Sequence, residues 1–432
     1  MSDSASPPPS PKPLLRSFFF LFGGQSISML GTQAVQFGLI WWLTVETGSA
    51  TVVAGATLAA LLPRALLGPV AGAIVDRCDR RKVMLVADGS LALLSLVLAA
   101  LFFTGTIEVW HVLALLLVRG VGELLHESAM LASTSLMVPK DQLTRIQGLV
   151  QSLAGLLLIV SPPLGALLVA WLPMAAVVLI DAVTALFAIV PLLMVTVPRP
   201  ERSETNDSSL WDDTLAGLAY LRRRTGHLAL LALAALLNLF LVPAFSLLPL
   251  LVHSEGSGAG RLAAASTAVG LGMLVGGAVL GAWGGFERRI LTTCSGLVLM
   301  GVAVLGVAMA PVTTWAFPML LGTVGIAATL VNGPVHAILQ ATVPADHQGR
   351  VFALSGSMAT IATPIGLVLA APIAEWLGVR AWFLAGGGMT LLLALVAVVA
   401  RPIRRIEETA PATPEVLATP SDGGRRTQPS PG

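Results

Sequence analysis

The sequence has little charge. Asp, Glu, Lys and Arg make up 11% of 432 residues, whereas soluble chains average about 25%. A fold this poor in charge cannot cover its surface for water. With 55% hydrophobic residues and a mean hydropathy of +0.85, most of the chain must be solvated by lipid. Net charge is only +2, so nothing points to nucleic acid. Cysteine is scarce: Cys78 lies in a basic polar loop and Cys294 in an apolar run, so no disulfide is expected. No G-x-x-x-x-G-K-[ST] loop is present, which excludes an ATP-driven pump of that type. No metal-ligand cluster and no nucleophile–base constellation can be read, so the sequence gives no enzyme, no cofactor and no metal. The opening MSDSASPPPSPK has neither a basic start nor a small-residue cleavage site, so it is not read as a signal peptide.

What the chain has is long apolar runs. A membrane helix needs about 20 apolar residues. Twelve runs qualify: 14–46, 50–75, 82–104, 107–138, 141–171, 173–196, 227–253, 260–286, 288–310, 312–343, 346–376 and 378–401. A soluble bundle would need polar faces on its outer helices, and these runs lack them. The expectation is an all-α membrane protein with twelve transmembrane helices.

Lys and Arg set direction. One set of helix ends carries 21 of them, from Lys12 and Arg16 through Arg77, Arg80, Arg81, Lys82, Lys140, Arg145, Arg288, Arg289 and Arg350 to the last arginines. The other set carries two, Arg261 and Arg380, while Arg64 and Arg119 lie inside helices. Both termini are therefore expected in the cytoplasm, which requires an even helix count. The expected localisation is the inner (cytoplasmic) membrane, as a multi-pass protein.

One long polar stretch interrupts the apolar pattern. It suggests five segments: a disordered tail 1–13, a six-helix half 14–197, a cytoplasmic loop 198–225 ending in a short amphipathic helix, a second six-helix half 226–402, and a disordered tail 403–432. The halves repeat. V-P-x-D-x-x-x-R occurs as Val138-Pro139-Lys140-Asp141 with Arg145, and as Val343-Pro344-Ala345-Asp346 with Arg350. The expected reading is that Pro ends one helix, Asp caps the next, and Arg sits one turn in. GAIVDRCDRRK (72–82) and GAWGGFERR (281–289) form a fainter pair. Halves repeated about an axis along the membrane normal mark alternating-access transporters.

GAIVDRCDRRK resembles the major facilitator signature G-x-x-x-D-R-x-G-R-R-K. Gly72, Asp76, Arg77, Arg80, Arg81 and Lys82 match, and Asp79 stands where Gly is usual. Ser161-Pro162-Pro163-Leu164-Gly165 resembles the antiporter signature G-P-x-x-G at Pro162 and Gly165. Arg119 stands where that family often has a membrane-embedded Arg. Trp41-Trp42, Trp283-Gly284-Gly285, Asn332-Gly333-Pro334 and Gln348-Gly349-Arg350-Val351-Phe352 are similar to the macrolide-efflux and enterobactin-exporter branch. The resemblance, which runs from about Arg16 to Arg401, implies a cytoplasmic gate at Gly72, Asp76, Arg77, Arg80 and Arg81. Gly72 would allow close helix packing there. It also implies a kink at Pro162 and Gly165 that biases export; a simple packing kink is the plainer reading.

Helix four carries Arg119, Glu123, His126 and Glu127 within about a 100° arc. Ionisable groups at membrane depth are costly unless they are paired or face a cavity. Arg119 can pair with Glu123, and Arg64 with Glu127. Either the set only orients helices, or Glu123 and Glu127 carry protons, with Arg119 as modulator and His126 as relay. Asp181 and Asp88 are expected in structural pairs. Gln25, Thr32 and Gln36 on helix one, Asn238 on helix seven, and Asn332, His336 and Gln340 on helix ten are candidates, with Arg64, for a substrate cavity; interhelical hydrogen bonding is the alternative. The function expected is proton-coupled export of an amphipathic small molecule, such as a macrolide-like drug or a siderophore. Its partners are that substrate, protons and the lipid bilayer, and the protein is read as a monomer. The alternatives are a nutrient uptake symporter and a non-transporting sensor or scaffold on the same fold.

Overall fold

A computed structural model describes residues 11–196, 224–343, 345–404 and 406–407. The expectations for most of the two tails and for loop 198–223 therefore lie outside the described residues. Helices make up the fold: α1 Pro11–Thr47, α2 Ala50–Arg77, α3 Arg80–Thr104, α4 Val109–Met137, α5 Leu143–Trp171 and α6 Met174–Met194. Then follow α7 in two pieces (Thr225–Ser246 and Leu248–Ser254), α8 Ala259–Trp283, α9 Arg289–Met309, α10 Ala316–Thr342, α11 Ala345–Leu377, α12 Val379–Val399 and a short α13 Arg401–Arg404. Among the described residues, eleven of these are long and apolar enough to cross a membrane, taking α7 as one. The protein is a multi-pass membrane protein. α1 is not among the eleven. It is 37 residues long, but Gln25, Ser26, Ser28, Thr32, Gln33 and Gln36 dilute its apolar character.

The helices alternate in direction, so one end of the bundle holds the starts of the odd-numbered helices (the near end) and the opposite end holds their finishes (the far end). Packing repeats with an offset of six. α2 packs on α4 as α8 packs on α10, and α3 on α4 and α6 as α9 on α10 and α12. α1 packs on α5 and α6 as α7 packs on α11 and α12. Across the two sets, the main contacts are α2 with α11 and α5 with α8, which the same offset interchanges.

Small residues make these contacts close. A Cβ on Gly165 of α5 would lie 2.6 Å from the Ala34 carbonyl of α1, and one on Gly120 of α4 would lie 2.5 Å from the Ala60 carbonyl of α2. Between apolar helices in lipid, close backbone approach supplies dispersion that water-driven burial does not. Gly72 behaves otherwise: no described atom lies within 4 Å of where its Cβ would be. Among the described residues, nothing packs closely against Gly72 in this conformation.

The caps add one finding and correct one expectation. Asp79, where the facilitator signature has Gly, is the N-cap of α3 and accepts from the Arg81 and Lys82 amides at 3.1 and 3.4 Å. A carboxylate at a helix start satisfies free amides and the helix dipole. Asp141, expected as a cap, lies inside a 3-10 turn, Lys140–Gln142, that precedes α5. Pro139 starts that turn, and Gln142 takes the N-cap position of α5, so Asp141 falls one residue short of it.

At the far end, two arginines hold backbone. Arg380 pairs with Glu255 and donates to the carbonyls of Ala308 and Ala310 at the close of α9. Arg261 donates to the carbonyls of Val312 and Thr314 in the next loop. Arg380 satisfies carbonyls that the end of α9 leaves free, and Arg261 does the same for carbonyls of the loop that follows.

Candidate functional site

The two helix sets meet around a pocket of about 420 Å³ between α1, α2 and α7, lined by Ile40, Thr57, Leu241, Val242, Phe245, Ser246 and Pro249. Below it, toward the near end, its walls continue at helical spacing. Gln36 lies one turn below Ile40, Arg64 two turns below Thr57, and Asn238 one turn below Val242. Asn238 also donates to the Ala234 carbonyl at 2.9 Å.

Arg64 and Glu127 meet there, Nη2 to Oε2 at 2.5 Å, with side chains 51% and 62% exposed. Both stand well inside their helices. Charges this exposed at that depth would be costly in lipid, so they face the cleft between the helix sets. The pairing expected from sequence is present.

Behind this pair the charge is buried. Arg119 contacts Glu123 at 2.9 Å and Asp181 of α6 at 3.0 Å, with side-chain exposures of 5%, 42% and 6%. Thr32 of α1 donates to Asp181 Oδ1 at 2.8 Å, and Ser95 of α3 to Oδ2 at 2.7 Å. The Asp181 carboxylate is thus held from α1, α3 and α4. Glu123 alone of the three reaches the cleft.

A second cluster lies one to two turns nearer the near end. Asp88 of α3 accepts from Gln25 Nε2 at 3.1 Å, and His126 Nδ1 lies 2.8 Å from its other oxygen. Gln25 and Asp88 are buried.

These contacts correct two expectations. Gln25 and Thr32 do not line the cleft, because their polar atoms are turned inward to Asp88 and Asp181. A polar stripe on an apolar helix looks the same from sequence whether it faces a cavity or a buried carboxylate. Asp88 and Asp181 were expected in structural pairs, and their partners are now specific: His126 and Arg119. On α10, Asn332, His336 and Gln340 are exposed, and the His336 ring stacks with Phe352 of α11 at 6.1 Å.

The signature arginines bind their own helix set. Arg81 donates to the Leu192 and Leu193 carbonyls at the close of α6, both at 2.6 Å. Arg80 donates to the Ala132 carbonyl of α4 at 2.8 Å, and Arg289 donates to Ala337 of α10 at 3.0 Å. The fainter sequence repeat therefore has a physical counterpart, an arginine after the second helix of each set gripping the fourth. The Asp76 side chain lies outside what is described.

Among the described residues, polar links between the sets are found at and toward the far end. Glu375 of α11 accepts from Ser49 Oγ at 2.6 Å and from the Thr51 amide at 3.0 Å, at the start of α2. Trp41 of α1 meets His253 of α7 edge-to-face at 5.9 Å. Pro163 has no N–H, which frees the Ile159 carbonyl within α5. Thr267 of α8 donates to that carbonyl at 3.1 Å. Pro163 thus leaves an acceptor that α8 uses, and Gly165 admits α1. Sequence spacing marks the Pro-Gly motif but not its partners.

An antiparallel helical bundle with a six-helix offset repeat and an ionisable cleft between its two sets is the architecture of a membrane transporter. The Major Facilitator Superfamily model matches residues 21–358 and 259–426. The chain belongs to that superfamily. It is 33% identical over 393 residues to macrolide efflux protein A of Streptococcus pyogenes, covering 90% of this chain and 97% of that protein. To the multidrug efflux pump Tap of Mycolicibacterium fortuitum it is 27% identical over 384 residues, covering 85% and 91%. Its fold is similar to a crystal structure of the nucleoside transporter NupG, with a TM-score of 0.66 at 12% identity, covering 90% and 99%.

Proposed function

We propose that this protein is a proton-coupled exporter of amphipathic small molecules, of the macrolide or multidrug type, working by alternating access. The observation that carries the reading is the charged stripe of α4. It runs from the cleft-facing Glu127 and Glu123 to the buried Arg119, in a chain similar along most of its length to a macrolide efflux protein. A scaffold has no need for charges at membrane depth.

In this reading the substrate occupies the apolar pocket, with Gln36, Arg64, Asn238, Asn332, His336 and Gln340 along its approach. A volume of about 420 Å³ with few polar groups suits an apolar body with scattered hydrogen-bonding atoms. Glu127 and Glu123 take the proton. Protonating Glu127 breaks its tie to Arg64, and protonating Glu123 leaves Arg119 to Asp181 alone. The first change loosens α4 from α2; the second leaves Arg119 tying α4 to α6 through Asp181 alone. The conformation described is closed at the far end by Glu375, Trp41 and Thr267, and the near end is the cytoplasmic face. Closing the near end would bring the segment of Gly72, Asp76, Arg77, Arg80 and Arg81 onto the opposite set.

The architecture that goes with this reading has twelve spans with α1 as the twelfth, two halves at 14–197 and 226–402, and both termini in the cytoplasm. The protein works as a monomer in the inner membrane. The lysine and arginine asymmetry supports the orientation.

The test is accumulation of a labelled macrolide in an efflux-deficient bacterium expressing the protein, with and without a protonophore. Lower accumulation that the protonophore restores supports proton-driven export. Accumulation unchanged by expression overturns the macrolide reading. Lower accumulation that the protonophore leaves alone overturns the proton coupling.

A further inference from the structure

At the far end of the seam between α5 and α8 lies a groove of about 850 Å³, distinct from the pocket described above. Its walls are small and apolar, Ala166 and Ala170 from α5 and Gly260, Ala264 and Leu271 from α8, with Trp315 at the start of α10. Along α8 it runs from Gly258 to Leu271, about 20 Å at 1.5 Å per residue. That is two thirds of a hydrocarbon core about 30 Å thick.

The mouth of the groove carries an uncompensated charge. The Arg261 guanidinium lies 5.8 Å from the Trp315 ring centre, and its hydrogen bonds go to the Val312 and Thr314 carbonyls. No carboxylate pairs with it among the described residues. Arg380, the other far-end cation, is paired with Glu255. Trp315 is 79% exposed, as is usual where a membrane meets water.

Two requirements fall on the occupant: an apolar chain long enough for the groove, and an anion at its outer end. A free anion meets only the second, and a neutral apolar molecule only the first. We propose that the groove is a phospholipid site, holding one acyl chain of a glycerophospholipid from the far-end leaflet with its phosphate against Arg261. The walls come from both helix sets, so the lipid bridges them beside the Thr267–Ile159 contact.

The test is native mass spectrometry of the purified full-length protein with phosphatidylglycerol. The wild type retains one lipid adduct under activation. Arg261→Gln lowers retention about tenfold, the loss of one phosphate contact. Because Arg261 also holds a loop, Ala264→Trp provides an independent arm. Ala264 is exposed, so an indole there fills the groove without entering the helix core, and retention falls equally. Adduct retention that neither variant lowers overturns the site. So does displacement of the lipid by inorganic phosphate alone, which would mark a simple anion site. Neither readout depends on transport, so a failed export assay leaves this test standing.

Discussion

Arg119 is bound by two carboxylates of opposite situation: Asp181 at 3.0 Å, buried, and Glu123 at 2.9 Å, open to the cleft. The same guanidinium is thus fixed on one side and exchangeable on the other. Asp181→Asn leaves a buried charge short of its partner, a loss of about 3–5 kcal/mol. That variant should give less folded protein and a lower melting temperature in detergent, read by size-exclusion after heating. Glu123→Gln should melt within a few degrees of wild type and lose proton-driven export. Equal melting of the two variants would remove the distinction between the carboxylates.

The Arg64–Glu127 pair has a different balance. Both side chains are more than half exposed, and exposed pairs contribute about 0–1 kcal/mol. Glu127→Gln and Arg64→Gln should therefore insert and melt normally, and both should export poorly. Full export by Glu127→Gln at normal expression would exclude it as a proton carrier. A large drop in melting temperature would make the pair a helix clamp instead.

How far the sequence reached follows from the kind of signal each feature leaves. The helices were legible because apolar runs and basic loops are local. Pairs on one helix, such as Arg119 with Glu123, were legible because their spacing is fixed at one turn. Arg64 with Glu127 could be proposed from depth alone. Asp181 could not be assigned to Arg119, or Gln25 to Asp88, because those contacts depend on how each helix is rotated about its axis, which sequence spacing does not give. Polar residues on α1 showed a stripe but not its direction. Thr32 and Gln25 turned inward, while Gln36 lies along the wall of the pocket.

Glycine positions separate packing from motion. At Gly120 an added methyl would meet the Ala60 carbonyl at 2.5 Å, and a backbone atom cannot easily move aside. Gly120→Ala should destabilise by about 1–3 kcal/mol through overpacking of α2 on α4. At Gly72 the space is open among the described residues. Gly72→Ala should keep wild-type melting, and it should slow export if the opposite conformation brings a helix against it. The pair of melting curves checks the first claim and accumulation kinetics the second. Normal melting of Gly120→Ala would show that α2 and α4 are not closely packed there.

Closure of the far end depends on a carboxylate that one helix set lends to the other. Glu375 accepts from the Ser49 hydroxyl and the Thr51 amide, so it serves the first turn of α2 as a cap supplied from α11. Removing it leaves those donors to water and loosens α2 from α11 where the sets meet. Glu375→Ala should shift the resting population toward a conformation open at the far end. Ser246 lines the central pocket, so Ser246→Cys reports access to it, in a background where Cys78 and Cys294 are replaced by alanine. In the proposed orientation, a membrane-impermeant maleimide added from outside should label Ser246→Cys several-fold faster when Glu375→Ala is also present, a change of about 1 kcal/mol in the equilibrium. Glu375→Gln keeps an acceptor oxygen and should fall between the two. Equal labelling rates in all three proteins would mean that α2 and α11 are held by apolar packing alone, with Glu375 as a solvent-exposed cap of no consequence for the cycle.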